Sequence, residues 1–222
     1  MLPESVAQAL RNKHGVIADH FNEVSILFTD MKGFTSFSST VTPIELMKFL
    51  DRMFSSFDRI AEKYGLYKVE IIGDAYFCVA GCPDPSPDHA YKMAKAAMEL
   101  LALIPSLQEE AGTKFELRVG MHIGSVVGGV VGVSNPRYHV FGDSVAIANA
   151  MESQGEVGRL HVSEAVYRKL NGKSGFIFEE GPVFRGEVDK DREVADPSYV
   201  STKKRGKASL PVEKTYFLSL KE

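Results

Sequence analysis

An α+β fold, an antiparallel sheet with helices packed on it followed by a C-terminal extension, is what this chain predicts. Three observations predict it. Apolar, β-branched runs alternate with helical segments in the order strand, helix, hairpin, helix, strand. A Gly-Asp pair, Gly73-Asp74, splits one apolar stretch into the two arms of a hairpin. The helical segments carry wide apolar faces of the kind that lie on a sheet.

Taken in order, residues 1–22 read as a lead-in. LPESVAQALRNK places Val6 and Leu10 at helical spacing, and the polar stretch Lys13 to Asn22 follows. A lead-in of this kind suits a fragment cut from behind an upstream regulatory or sensor domain. Residues 23–222 form the main domain. Val24 to Thr29 is its first strand. Thr42-Pro43-Ile44-Glu45 is a capping box with proline at the first helical position. The helix it opens presents Leu46, Phe49, Leu50, Met53, Phe54, Phe57, Ile60 and Ala61, and Gly65 stops it. That Phe/Met stripe is core packing. Tyr67 to Ile72 and Ala75 to Ala80 are the hairpin arms. A second helix spans about Asp88 to Leu103, and a strand runs from Phe115 to His122. The resulting β-α-β-β-α-β order is that of a ferredoxin-like core.

Beyond it the pattern loosens. GSVVGGVVG holds four glycines in nine positions, enough to let the backbone approach another surface closely, and its plainer reading is a flexible or tightly packed hairpin. Phe184 to Tyr199 is acidic and poor in large apolar residues, and reads as an insertion within 184–199. The basic run Lys203 to Lys207 is a solvated face or, set opposite a site, a phosphate clamp.

Composition excludes some classes. A net charge of −3 and a pI near 6.1 speak against a nucleic-acid partner held by charge. An RNA-binding reading of the ferredoxin-like pattern fails on the same charge and on the lack of matched aromatics on adjacent strands. No apolar stretch is long enough to span a bilayer and no signal peptide opens the chain, so a cytoplasmic setting is expected, including the cytosolic part of a larger membrane-anchored protein. Cys78 and Cys82 read as reduced packing residues.

The candidate chemistry rests on Asp30 and Asp74. Each follows an apolar run and lies near a glycine, Gly33 or Gly73, so each carboxylate sits at a strand edge or turn. Strands from these two segments, paired in one sheet, would bring both to one spot. Two hard oxygen ligands beside a glycine turn make a site for divalent metals and a polyphosphate. A plainer reading, with Asp74 an Asx-type turn residue and Asp30 a helix cap, is equally open from spacing alone.

FTDMKGFTSFS, KVEIIGDAYFCVAG, LRVGMHIGSVVGGVVG, NPRYHVFGDSV and AMES, in that order and spacing, resemble the catalytic domain of class III nucleotidyl cyclases. The resemblance runs from about Phe21 to Leu220, and LPESVA is similar to the short transducing helix before the domain in guanylyl cyclases. It implies a ferredoxin-like core and a head-to-tail dimer whose sites are built by both chains. Asp30 and Asp74 match the family's metal-binding aspartates, with the Met31 carbonyl assisting, for two Mg²⁺ or Mn²⁺ ions. Backbone N–H groups at Gly33, Phe34 and Thr35 would cradle phosphates, Arg118 matches a phosphate-binding arginine, and Lys207 is a further substrate contact. Glu70 stands where guanylyl cyclases carry Glu, a carboxylate that accepts from guanine N1–H and N2–H₂, so the implied substrate is GTP and the product cyclic GMP. At the second base-contact position His139 replaces the usual Cys or Asp, and histidine can donate or accept.

One departure shapes the expectation further. Where complete family members read G-[DN]-x-V-N-x-A-S-R, this chain reads GDSVAIANA, with Ala146 and Ala150 in place of the Asn and Arg that orient ribose and stabilise the transition state. Asn149 is one position away, rotated by roughly 100° on a helix. The chain therefore resembles the metal-bearing, α-type subunit of heterodimeric guanylyl cyclases and is expected to need a second cyclase domain for full activity. An adenylyl cyclase, or a regulatory cyclase-like domain of little activity, remains the alternative.

Overall fold

The computed structural model describes residues 2–12, 17–132, 134–173, 175–184 and 213–221. It contains α1 (Glu4–Asn12), β1 (Ala18–Lys32), α2 (Phe34–Ser38), α3 (Pro43–Lys63), β2 (Tyr67–Ile72), β3 (Ala75–Ala80), α4 (His89–Ala111) and β4 (Glu116–Val131). After these come β5 (Arg137–Phe141), α5 (Asp143–Ser153), β6 (Leu160–Ser163), α6 (Glu164–Leu170), β7 (Phe176–Glu180) and β8 (Thr215–Leu220). The strands form one sheet in the order β2-β3-β1-β4-β6-β8-β7, with β5 paired to β4 off that path. The first four, β2-β3-β1-β4, are mutually antiparallel and make the ferredoxin-like core; β6 then joins β4 in parallel.

Local chemistry accounts for the elements. Thr42 Oγ1 accepts from the Glu45 N–H at 3.3 Å while Glu45 accepts from the Thr42 N–H at 2.9 Å, the reciprocal capping box that starts α3. Gly65, at φ +65°, turns the chain out of the helix in the left-handed region. α4 extends past the expected Leu103 to Ala111 and carries Pro105 in its interior. Proline removes one helical donor there, but Ile104 and Leu107 on either side are buried in the core and hold the helix to the sheet.

The two faces of the sheet differ. On one, α3 and α4 pack Met53, Phe57, Ile60, Met93, Ala97 and Leu100 against Leu27, Tyr76, Val119 and Met121. On the other, a smaller cluster unites Val24, Ile26, Phe28, Phe77, Val79, Tyr138 and Val140 with Val6 of α1. Cys78 and Cys82 are both free and buried, and burial pushes the Cys82 thiol up to about 11.

β1 is longer than the sequence suggests. It begins at Ala18, inside the stretch read as lead-in, and its register against β4 shifts between Phe21 and Val24. The glycine-rich segment is the distal half of β4, paired with β1 on one side and β5 on the other. Its glycines permit contact: a Cβ on Gly128 would lie 2.0 Å from the Tyr138 hydroxyl. The segment is a tightly packed hairpin with β5.

One glycine sets the position of α5. A Cβ on Gly120 would lie 2.0 Å from the Glu152 backbone nitrogen and 2.5 Å from its Cα, so the helix rests directly on β4. Gly120→Ala should therefore displace α5 and destabilise the domain by about 2 kcal/mol or more. A fall in the urea midpoint at unchanged slope checks this; a midpoint equal to the parent's would mean that α5 can lift away freely.

Candidate active site

β1 and β3 are neighbours with Thr29 opposite Tyr76, so Asp30 comes level with the end of the β2–β3 hairpin, where Gly73 at φ +65° leads into Asp74. The two carboxylates reach one cavity of about 180 Å³, lined by Phe28, Asp30, Ile72, Asp74, Ala75, Asn149 and Glu152. Asp30 is 3% exposed. Phe28, in the cavity wall, stacks on Phe77 with ring centroids 4.4 Å apart, giving the site an apolar, rigid backing.

Arg118 lies directly across from Asp30 on β4. Its Nη2 donates to Asp30 Oδ2 at 2.7 Å, and its Nε donates to Glu152 Oε1 on α5 at 2.8 Å. Charge-assisted bonds of this length, partly shielded from water, are the strong members of their class. Farther along the same strand face, burial pushes the His122 imidazole down to about 4, and its Nδ1 meets Ser163 Oγ at 2.7 Å.

Met31 follows Asp30 with its side chain buried in the opposite core, against α3 and α4. Gly33, at φ +82°, is the N-cap of α2, so Phe34 and Thr35 open that short helix a few residues from Asp30. The first N–H groups of any helix lack intrahelical acceptors.

The base-reading candidates sit on another pair of elements. Glu70 lies opposite Phe77, on the sheet face that carries Asp30, and accepts from Arg137 Nη1 of β5 at 3.0 Å. His139 is two residues along β5 from Arg137, so both side chains leave the same side of the strand. Its Nδ1 is buried with no hydrogen-bond partner among the described residues. Lys207, with the rest of the basic run and the acidic insertion after Phe184, lies outside the described residues.

Two side chains escaped the sequence reading: Glu152 and Arg137. Asn149 was set aside as misplaced for the missing Asn/Arg pair, yet it lines the cavity of its own chain's Asp30 and Asp74. Asn149 and Glu152 are three apart on α5 and so share a face, and Gly120 was the signal that this face meets β4. Ala150, by contrast, is buried against Met151 and Phe184, while Ala146 is half-buried.

The carboxylate pair suits a divalent cation. Asp30 and Asp74 offer hard oxygen donors on a cavity wall, and Arg118 already supplies a positive charge to Asp30 at the point where a cation would lie close. Among the described residues no group of three or more His, Cys, Asp and Glu is arranged to hold an ion. Two protein carboxylates leave coordination positions for water and phosphate oxygens, as magnesium sites commonly do.

Fold and site together define a nucleotide cyclase domain. The family model for the adenylate and guanylate cyclase catalytic domain matches residues 16–192, and the chain belongs to this class III family. It is 40% identical over 190 residues to the adenylate cyclase of Mycobacterium tuberculosis, covering 85% of this chain and 42% of that protein. It is 42% identical over 186 residues to the receptor-type guanylate cyclase Gyc76C of Drosophila melanogaster, covering 81% of this chain and 12% of that one. The chain thus spans less than half the length of either relative. The crystal structure of the guanylate cyclase domain of RhGC from Catenaria anguillulae, in complex with GTP, superposes with a TM-score of 0.76 at 29% identity, over 92% of this chain and all of that one. Among the described residues no helix is long and apolar enough to cross a membrane.

Removing Arg118 should expose how the two buried carboxylates depend on it. Arg118→Ala leaves Asp30 and Glu152 without their shared counter-ion, at a cost of about 3–5 kcal/mol near neutral pH. A fall in the urea midpoint at neutral pH tests this; a midpoint equal to the parent's would contradict it.

Proposed function

We propose that this domain converts GTP to cyclic GMP and pyrophosphate, by attack of the ribose 3′-hydroxyl on the α-phosphorus, and that it serves as the metal-bearing half of a two-domain site. The observation that carries this reading is the convergence of Asp30, Asp74 and Glu152 on one cavity, with Arg118 bonded to Asp30 and Glu152. Asp30 and Asp74, with the Met31 carbonyl, would hold two Mg²⁺ or Mn²⁺ ions. Bound there, the ions supply Lewis-acid charge to the 3′-hydroxyl and the leaving pyrophosphate. Arg118 offers its guanidinium to the phosphates, and the backbone N–H groups of Gly33, Phe34 and Thr35 add donors at the start of α2. Lys207 is proposed as a further phosphate contact. Positioning and charge stabilisation carry most of such a reaction.

Selectivity for guanine rests on Glu70, whose carboxylate can accept from N1–H and N2–H₂. Its pairing with Arg137 holds that acceptor in place before the base arrives. An adenylyl cyclase is the second reading. It is favoured by His139, which can donate as well as accept, and by the adenylate cyclase among the relatives. Glu70→Lys turns the acceptor into a donor and sets a like charge against Arg137. It should lower the GTP/ATP preference by roughly tenfold, the size of one good discriminating contact of about 1–3 kcal/mol. An unchanged ratio with measurable turnover would remove Glu70 from the base pocket.

The half-site assignment follows from Ala146 and Ala150, two methyl groups where the reaction wants an amide and a guanidinium. Loss of an arginine that stabilises developing phosphoryl charge costs on the order of 10³-fold in rate. With Mn²⁺ and GTP the chain alone should form little cyclic GMP, and mixing it with a cyclase domain that carries the Asn/Arg pair should restore turnover. Asp30→Ala or Asp74→Ala should abolish the restored activity. Full activity of the chain alone would overturn the half-site assignment, and restored activity surviving in both variants would overturn the metal assignment.

A further inference from the structure

Arg118 cannot keep both of its partners through the chemistry proposed above. Its Nη2 sits 2.7 Å from Asp30 and its Nε 2.8 Å from Glu152, and the side chains of those carboxylates are only 5% and 2% exposed. Asp30, Asp74 and Glu152 line the cavity, and Arg118 bonds to two of these carboxylates, Asp30 and Glu152. A dication drawn to Asp30 and Asp74 would lie close to the Nη2 end of Arg118, and like charges at that range repel strongly in a partly buried site. The Nε edge points elsewhere, to a carboxylate on α5 that the backbone contact at Gly120 holds against β4.

The geometry points to Glu152 as a positioning residue that makes Arg118 an exchangeable counter-ion. Without a cation, Nη2 neutralises Asp30. With a cation on Asp30 and Asp74, Arg118 stays anchored to Glu152 through Nε and turns its released Nη donors to the polyphosphate. This rests on the cation site proposed for Asp30 and Asp74. It assigns Glu152 a task apart from ligation, in keeping with the absence, among the described residues, of a three-carboxylate cluster arranged around an ion. It also explains why a residue needed for phosphate is paired with a cation ligand: the grip on nucleotide is withheld until the cation is in place.

The test is an NMR titration of the chain labelled with ¹⁵N at arginine, with Arg118 signals assigned by their loss in Arg118→Lys. Without cation, the Arg118 Nε–H should lie downfield and its Nη groups should rotate slowly. Saturating Mg²⁺ should release the Nη groups to fast rotation and leave Nε–H in place, and 3′-deoxy-GTP, which lacks the attacking hydroxyl, should slow them again. Glu152→Gln should abolish the downfield Nε–H shift and weaken Mg²⁺-dependent binding of 3′-deoxy-GTP by roughly tenfold, as loss of one charge-assisted bond would. Nη groups that stay slow at saturating Mg²⁺, while the Arg118 backbone amide signal shifts with Mg²⁺ in the parent and not in Asp74→Ala, would leave the cation site standing and overturn the exchange. Identical Mg²⁺ responses in the parent and in Asp74→Ala would instead overturn the cation site, and the exchange with it. The titration of the parent chain decides the matter even if Glu152→Gln does not fold.

Discussion

The absence of a side chain at Gly120 is the constraint on which the rest of the site depends. Because nothing separates β4 from α5 there, the helix backbone lies on the strand and Glu152 is delivered to Arg118. Arg118 in turn sits across the ladder from Asp30 and neutralises it. A chain of contacts thus runs from one helix, through one guanidinium, to one carboxylate at the cavity wall. Its members are buried or half-buried, so the charges act on each other with little screening by solvent.

The division of labour between the two faces of the sheet makes such a charged site tolerable. The face under α3 and α4 carries the larger apolar core, with Met53, Phe57, Tyr76, Met93 and Met121 fully enclosed. Hydrophobic burial of that extent is the dominant favourable contribution to folding. The opposite face is left with a smaller cluster and can give up the Asp30 end of the sheet to polar groups. β1 joins the two, since its alternate residues face the two cores and its last residues reach the cavity.

Much of this was legible in the sequence, for identifiable reasons. The α3 capping box, the Gly73-Asp74 hairpin and the β-α-β-β-α-β order are local signals with fixed spacing, and the structure carries all three. The meeting of Asp30 and Asp74 followed from pairing the strands that hold them. What was not legible depended on contacts between distant segments. Glu152 reads as an ordinary helical acid until Gly120 brings α5 down on Arg118. Arg137 carries no local signal of its role until β5, paired to β4, brings it to Glu70. Length was also misjudged, because burial of Ile104 and Leu107 carries α4 through Pro105, and pairing with both β1 and β5 keeps the glycine-rich half of β4 extended.

On the proposed reading, Asp30 and Asp74 would form the cation-holding half of a cyclase site, with Ala146 and Ala150 where the complementary polar pair would stand. The central claim is that Asp30 and Asp74 hold ions in common. Anomalous diffraction from crystals of the chain grown with Mn²⁺ and 3′-deoxy-GTP tests it most directly. The account predicts manganese peaks within ligand distance of both carboxylates and phosphate oxygens beside them. Manganese bound elsewhere, or nucleotide bound with neither aspartate in contact with an ion, would contradict it.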